Sequence, residues 1–448
     1  MLSKGVPSTF ANIKTLYSSP EKLSTIQELV EGYASNPSAA TDSTKQTSGS
    51  KSTRFEEAVY YFLAHHYDYH RSRDLKKAMD YVEKAIALDP KSVFYTMTKA
   101  RIIKHTGDLV KAAEVMNQAR ELDEKDRYIN TKCAKYQLRR DDNEAAINTM
   151  SKFTRNETVG GALGDLHDMQ CMWYITEDGE SYLRQGKLSL ALKRFKSIYD
   201  IFDVWQEDQF DFHQFSIRKG QIRAYVEMMR WEDRLREHPF YTRAALKAIK
   251  IYTMLHDDPS LASKGLTNGV DLEGLDPAEK KKAIKKAKKE AERKAQEEHE
   301  RKEAANKTAA GKKAGTGADG EPKKEDPDPQ GLKLLETKAP LDEAVKFLTP
   351  MLELSPRNVL AQNAGFEVYI RREKLLLALK CLIAAKAIEP EQEVLREQIG
   401  RFKKACKFTC LSFEELAHTD TRVVDSAPKS ANPKFDEALK AGLKELGA

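Results

Sequence analysis

Small and large apolar residues recur along the chain at helical spacing. Ala78, Val82, Ala85 and Pro90 occupy one stretch, and Ala112, Met116, Ala119 and Glu124 hold the same places 34 residues later. Steps of three and four put such residues on one face of a helix. The alanines let two antiparallel helices approach closely, while Val82 and Met116 fill the space between successive pairs. Ala146 and Met150 lie a further 34 residues on. The period then returns far downstream, where Ala344, Leu348, Met351 and Pro356 are matched at 34 residues by Ala378, Leu382, Ala385 and Pro390.

A fixed period of about 34 residues is the signature of tetratricopeptide helix–turn–helix repeats. One hairpin cannot bury its apolar face alone, so neighbours must stack. Generic amphipathic helices can share a spacing, but chance rarely holds one period in two independent registers. The predicted class is all-α: a tetratricopeptide-repeat superhelix, or α-solenoid, with an exposed basic helix and disordered linkers. No strand pattern is evident.

The same pattern divides the chain. Residues 1–33 predict the first helices of the array: Phe10, Ile13, Leu16 and Tyr17 share a face, Pro20 opens a second helix, and Ile26, Leu29, Val30 and Tyr33 continue the stripe. Residues 34–54 are too polar to fold alone and read as a flexible insertion. The repeats follow over 55–155, up to a glycine-rich break, RNETVGGALG, at 155–164. Further hairpins fill 165–258. Trp173 to Tyr199 form one, with Gly186 in its turn, where positive φ is cheap. Tyr225, Met228, Met229 and Trp231 mark another helix, ended at His238-Pro239 because the residue before proline leaves the α region. Ala244, Ala245, Ala248, Tyr252 and Leu255 make the next. A basic helix is predicted over 276–305, a disordered linker over 306–337, the second repeat pair over 338–412 and a polar tail over 413–448.

Composition sharpens this picture. Of 448 residues 40% are hydrophobic and 32% charged, which suits a thin solenoid with much exposed surface. The net charge is only +6, but it is clustered. No run of about 18 apolar residues predicts a membrane span. The N-terminal MLSKGVPSTF lacks the apolar core of a secretory signal, so secretion is not expected. Cys133, Cys171, Cys381, Cys406 and Cys410 are odd in number and scattered, as buried small hydrophobes in a reducing compartment would be.

Catalytic chemistry is hard to place. His66 and His70 stand four apart on a helix, but no third ligand at metal-site spacing accompanies them. The segment Gln362 to Glu367 comes nearest to an acetyl-CoA loop, but it fails at its last position and lies in a helix with no preceding strand. There is no P-loop, nucleophile elbow or dinucleotide fingerprint. The chain reads as non-catalytic, without a metal or cofactor of its own.

Two basic clusters remain. KKKAIKKAKKEAERK at 280–294 holds nine basic and two acidic residues, with Ile284 its single large apolar side chain. Either it is a solvated face, or Lys280, Lys281, Lys282, Lys285, Lys286, Lys288, Lys289, Arg293 and Lys294 contact the phosphate backbone of RNA. The other cluster is Lys99, Arg101, Lys104, Arg127, Lys132 and Lys135, with Tyr136 beside it. First helices of consecutive repeats line one groove, so these side chains either converge on a polyanion or are ordinary surface lysines.

Several longer words are more particular: KGVPSTFANIKTLY at 4–17, DRYINTKCAKY at 126–136, MQCMWYITE at 169–177, EDQFDFH at 207–213, HPFYTRAALKAIKIYTMLHD at 238–257 and LDEAVKFLTP at 341–350. In these the chain resembles the auxiliary, ribosome-anchoring subunit of the NatA N-terminal acetyltransferase, over that subunit's central to C-terminal part. The resemblance implies a helical-repeat scaffold that wraps a catalytic GNAT-fold N-alpha-acetyltransferase subunit, which uses acetyl-CoA. It implies acetylation of Ser, Ala, Thr, Gly, Val or Cys exposed after methionine removal. It also implies docking at the ribosomal exit tunnel and rRNA, and a small regulatory NatA-binding protein. The implied location is cytoplasmic and ribosome-associated with a minor nuclear pool, and no membrane is involved. The family carries inositol hexakisphosphate as a structural ligand between subunits. DRYINTKCAKY matches the stretch contributing to that site, which implicates Lys132, Lys135 and Tyr136, and beside them Arg127, Lys99, Arg101 and Lys104. Family members carry many repeats before the KGVP segment, whereas here Met1 begins almost at it. A central-to-C-terminal fragment or a shortened gene product is expected. Alternative readings are a general tetratricopeptide adaptor or co-chaperone, and an RNA-binding protein in its own right.

Overall fold

The computed structural model describes residues 1–36, 50–157, 159–208, 217–232, 234–262 and 328–409, with a few short stretches elsewhere. Among the described residues every regular element is a helix. The chain forms two compact units, one of Met1–Asn156 with Gly160–Asp165 and one of Glu157–Val159 with Leu166–Ala448.

In the first unit α1 (Thr9–Ile13), a 3-10 turn (Lys14–Ser18) and α2 (Pro20–Ser35) precede three hairpins. These are α3 (Ser50–Asp68) with α4 (Leu75–Leu88), α5 (Val93–His105) with α6 (Leu109–Leu122), and α7 (Arg127–Arg139) with α8 (Asn143–Met150). Ala78, Val82, Ala85, Ala112, Met116, Ala119 and Ala146 are all buried, as the period requires. The hairpins repeat in finer detail too. Asp74, Asp108 and Asp142 cap α4, α6 and α8, accepting from backbone amides at 2.9–3.1 Å. Each cap satisfies one of the donors that a helix start leaves free.

Two expectations fail near the N-terminus. Leu16 is 42% and Leu29 54% exposed. The 3-10 turn changes the angular step around Leu16. In α2 the stripe that packs is Leu23, Ile26, Val30 and Tyr33, which leaves Leu29 off it. Helix α3 also starts at Ser50, inside the stretch read as a flexible insertion, whose residues 37–49 lie outside the described residues.

The glycine-rich break precedes α9 (Gly161–Asp168), with Gly160 and Gly161 at φ 84° and 62°. In the second unit α10 (Met172–Arg184) and α11 (Leu188–Glu207) form a hairpin turned at Gly186, φ 74°. Helix α12 (Ile222–Glu232) follows, and among the described residues nothing covers its apolar stripe: Ile222, Val226, Met229 and Trp231 stay exposed. His238 then caps α13 (Pro239–Asp257), accepting from Phe240 N at 3.2 Å, with Pro239 in the first turn. Beyond come α14 (Leu332–Leu335), α15 (Pro340–Leu354), α16 (Val359–Arg371), α17 (Leu375–Ile388) and α18 (Glu393–Thr409).

Helix α13 packs directly on α15, although residues 258–339 separate them in sequence. Tyr241 Oη donates to Phe347 O at 3.3 Å, and one apolar core runs through α10, α11, α13, α15 and α16. The stretches 165–258 and 338–412, set apart by sequence, therefore share a core. The basic segment is an insertion between the two helices of one hairpin. Its stems are gripped by neighbouring arginines: Arg371 bonds Asp257 at 2.8 Å and Arg372 bonds Asp342 at 2.8 Å. The end of the predicted linker is ordered as well. Leu335 is buried, Lys193 pairs with Asp326 at 2.6 Å, and Gly331 lies so close to Ser189 O that a Cβ would meet it at 2.5 Å. In the tail Leu446 is buried against the last hairpins. Residues 276–292, 294–325 and 410–436 lie outside the described residues, as do the side chains of Cys406 and Cys410.

This unit also buries charge. Asp178 accepts from Arg194 Nε at 2.6 Å, and both side chains are almost fully enclosed. Glu177 and Glu180 receive Arg243 at 3.4 and 2.7 Å. Burial alone would depress the Arg194 guanidinium, but Asp178 more than reverses this and holds it charged.

Candidate functional site

The first helices of the three hairpins in the first unit, α3, α5 and α7, bring a set of charges together around Asp68, the last residue of α3. Asp68 is 5% exposed. Its Oδ2 accepts from Arg101 Nε at 3.0 Å and its Oδ1 from His105 Nδ1 at 2.5 Å. The Arg101 guanidinium also donates to His65 Nδ1 at 2.5 Å. His65 stacks on Phe10 at 5.5 Å and meets Tyr61 edge-on at 4.5 Å. Burial, and next the Arg101 charge, push His65 down to about 3, so its ring is neutral and can accept that bond.

Lys104 and Tyr136 report the field at this place. The Lys104 ammonium is pushed down, first by burial and then by Arg139, with Arg101 and Arg73 adding to the effect and Asp68 opposing it. The Tyr136 phenol is raised to about 12, mainly by burial, with Arg101 and Arg139 opposing and Asp68 assisting. Arg73, Arg101 and Arg139 thus all act on Lys104, against the Asp68 carboxylate. Like charges held near one another destabilise each other, and a group carrying several phosphates would relieve this.

The remaining sequence candidates are placed as follows. Lys99 pairs with Glu83 of α4 at 3.0 Å rather than joining the cluster. Lys132 lies over the Tyr128 ring at 5.1 Å. Arg127 is the exposed first residue of α7. Lys135 is half-buried beside Tyr136. Of the basic segment, Arg293 alone is described, as an exposed helical residue. Sequence reasoning missed Asp68, Arg73, His105 and Arg139. The 34-residue period held the signal for two of them, since it carries Arg101 onto Lys135 and His105 onto Arg139.

His66 is a satisfied core residue. Its Nδ1 accepts from Tyr17 Oη at 2.7 Å and its Nε2 donates to Gln27 Oε1 at 3.3 Å. Among the described residues no group of His, Cys, Asp or Glu could hold a metal ion, and no helix is long and apolar enough to cross a membrane. Cys133 and Cys381 are buried, and burial raises their thiols to about 11 and about 12, which keeps them unreactive.

Stacked hairpins of about 34 residues, with a cationic cluster across consecutive first helices, define a helical-repeat scaffold. The family model for the auxiliary subunit of N-terminal acetyltransferase A matches residues 1–385, and the chain belongs to that family. It is 38% identical over 446 residues to the N-terminal acetyltransferase A complex auxiliary subunit NAA15 of Arabidopsis thaliana, covering 100% of this chain and 48% of that one. It is 40% identical over 409 residues to the human NatA auxiliary subunit N-alpha-acetyltransferase 16, covering 90% of this chain and 46% of that one. A solved structure described as Naa15/Naa10 bound to HypK-THB superposes with a TM-score of 0.73 at 44% identity, over 99% of this chain and 53% of that one. The chain spans about half the length of the curated relatives it matches.

Proposed function

We propose that this chain acts as a non-catalytic auxiliary subunit of an N-terminal acetyltransferase A complex, holding and shaping a GNAT-fold catalytic subunit that acetylates nascent N-termini with acetyl-CoA. The observation that carries this reading is the match to the solved auxiliary subunit, at 44% identity over 99% of the chain. That neighbour's description names a second protein, Naa10, and HypK-THB, which supports a catalytic subunit and a small regulatory protein as partners here.

Two finer assignments belong to the same reading. The cluster around Arg101, Lys104, Tyr136 and Arg139 takes a compact polyanion of the inositol hexakisphosphate type. The basic insertion, 280–294, binds ribosomal RNA through its backbone phosphates and anchors the complex to cytoplasmic ribosomes. The test of the whole is co-expression with the catalytic subunit. A stable complex that acetylates peptides beginning with Ser or Ala is expected, and failure to form any complex would overturn the reading. For the anchor, changing Lys281, Lys282, Lys285, Lys286, Lys288 and Lys289 to Glu should abolish salt-sensitive co-sedimentation with ribosomes. Undiminished co-sedimentation would refute that role.

A further inference from the structure

We infer that Asp68 is an internal counter-anion that limits the affinity of the cationic cluster, so that polyanion binding there is reversible and responds to ligand concentration. The inference rests on the reading of the cluster as a polyanion site and names the residue that sets its strength.

The geometry puts Asp68 where a ligand phosphate would otherwise be drawn. Each of its oxygens serves one cationic or proton-donating partner, Oδ2 the Arg101 guanidinium at 3.0 Å and Oδ1 the His105 ring at 2.5 Å. Arg73 approaches from the following loop and donates to the Asp68 backbone carbonyl at 3.3 Å. Lys104 feels the Asp68 charge directly, against those of Arg139, Arg101 and Arg73. A carboxylate so placed has two effects. It lowers the mutual repulsion of the cations when no ligand is bound, which keeps the groove formed. It also presents a fixed negative charge to every incoming anion, one that burial at 5% exposure leaves poorly screened.

Removing that charge need not dismantle the site, because Arg101 has a second anchor. Its guanidinium also donates to His65 Nδ1, and His65 is locked between the Phe10 and Tyr61 rings. With Asp68→Asn the cations stay where they are and lose their counter-charge. A unit charge within about 6 Å of a ligand phosphate, at an effective dielectric of about 20, changes affinity by a factor of about ten or more. The gain grows with the ligand's own charge.

The experiment is calorimetric titration of the folded chain with inositol hexakisphosphate and with tripolyphosphate. Wild type is compared with Asp68→Asn, Asp68→Glu and Arg139→Glu, and helicity is checked for each. Asp68→Asn should tighten inositol hexakisphosphate by about tenfold or more, and tripolyphosphate by less. Asp68→Glu, which keeps the charge, should bind like wild type, and Arg139→Glu should bind weakly. Binding by Asp68→Asn with none detectable in wild type would also support the inference. If the asparagine variant does not fold, Asp68→Ser takes its place with the same expected sign. Should Arg139→Glu abolish binding while the neutral variants bind no tighter than wild type, the polyanion site stands and the counter-anion role falls. If wild type and all variants ignore both ligands, the polyanion reading itself falls, and this inference with it.

Discussion

The buried pair Asp178–Arg194 offers a sharp test of the second unit. Replacing Asp178 by Asn keeps the shape and removes the charge. The Arg194 guanidinium, its side chain 6% exposed, then loses its directly bonded carboxylate and keeps the Tyr182 ring at 5.8 Å and the more distant charge of Asp326. Water cannot replace the lost carboxylate at that depth. Two opposite charges about 4 Å apart attract by about 4 kcal/mol at an effective dielectric of 20. Removing one member of a buried pair costs about 3–5 kcal/mol in other proteins, so the two scales agree. The assay is specific, because Trp173, Trp205 and Trp231 all lie in the second unit. Tryptophan fluorescence therefore follows that unit, while far-ultraviolet helicity follows both. At about 2–4 °C per kcal/mol for a domain of this size, the fluorescence midpoint should fall by about 10 °C. The double change Asp178→Leu with Arg194→Met should recover most of the loss. A fall of only a degree or two in the single variant would show that the pair is hydrated, and would refute the reasoning.

Other predictions follow from the repeat geometry. Gly107, Asp141, Gly186 and Glu373 hold one place in four hairpin turns, with φ of 97°, 66°, 74° and 57°. Glu373→Gly should therefore stabilise the second unit by about 0.5–1 kcal/mol, seen as a raised denaturation midpoint, and a lowered midpoint would contradict the strain at Glu373. Ala112→Phe should wedge α5 from α6 and cost about 1–3 kcal/mol, and an unchanged melting curve would show that the repeat register is wrong. His66 is pushed down to about 4 by burial. The unfolded chain then binds more protons between about pH 6.5 and 4, so stability falls as pH drops through that window. His66→Gln should lose less over the same range, as measured by melting of the first unit.

What the sequence showed and what it hid have different physical origins. The hairpins were legible because their cores use near neighbours: Ala78 and Val82, or Ala378 and Leu382, repeat at a period that packing imposes. The partnership of α13 with α15 was not legible, because the basic insertion stands where the turn would be and composition there changes abruptly. Leu29 misled for the opposite reason. Apolar spacing shows that a face exists, not whether another element covers it. The cationic cluster was half visible. Arg101, Lys104 and Tyr136 stood out by type, and repeat position pointed to Lys135. Asp68 and Arg73 belong to the hairpin before, and only stacking of α3 on α5 brings them in. Lys99 looked equivalent to its neighbours until the orientation of one turn gave it to Glu83.

The central claim is that this chain is a scaffold for a separate acetyltransferase. Its most direct test is reconstitution, with the purified chain and the purified GNAT-fold subunit assayed for acetyl transfer to a Ser- or Ala-initiated peptide, separately and mixed. The expected result is no transfer by the chain alone, and a one-to-one complex whose rate on these peptides exceeds that of the catalytic subunit alone. Transfer by the chain in the absence of any acetyltransferase, or a catalytic subunit whose rate and elution position the chain leaves unchanged, would contradict it.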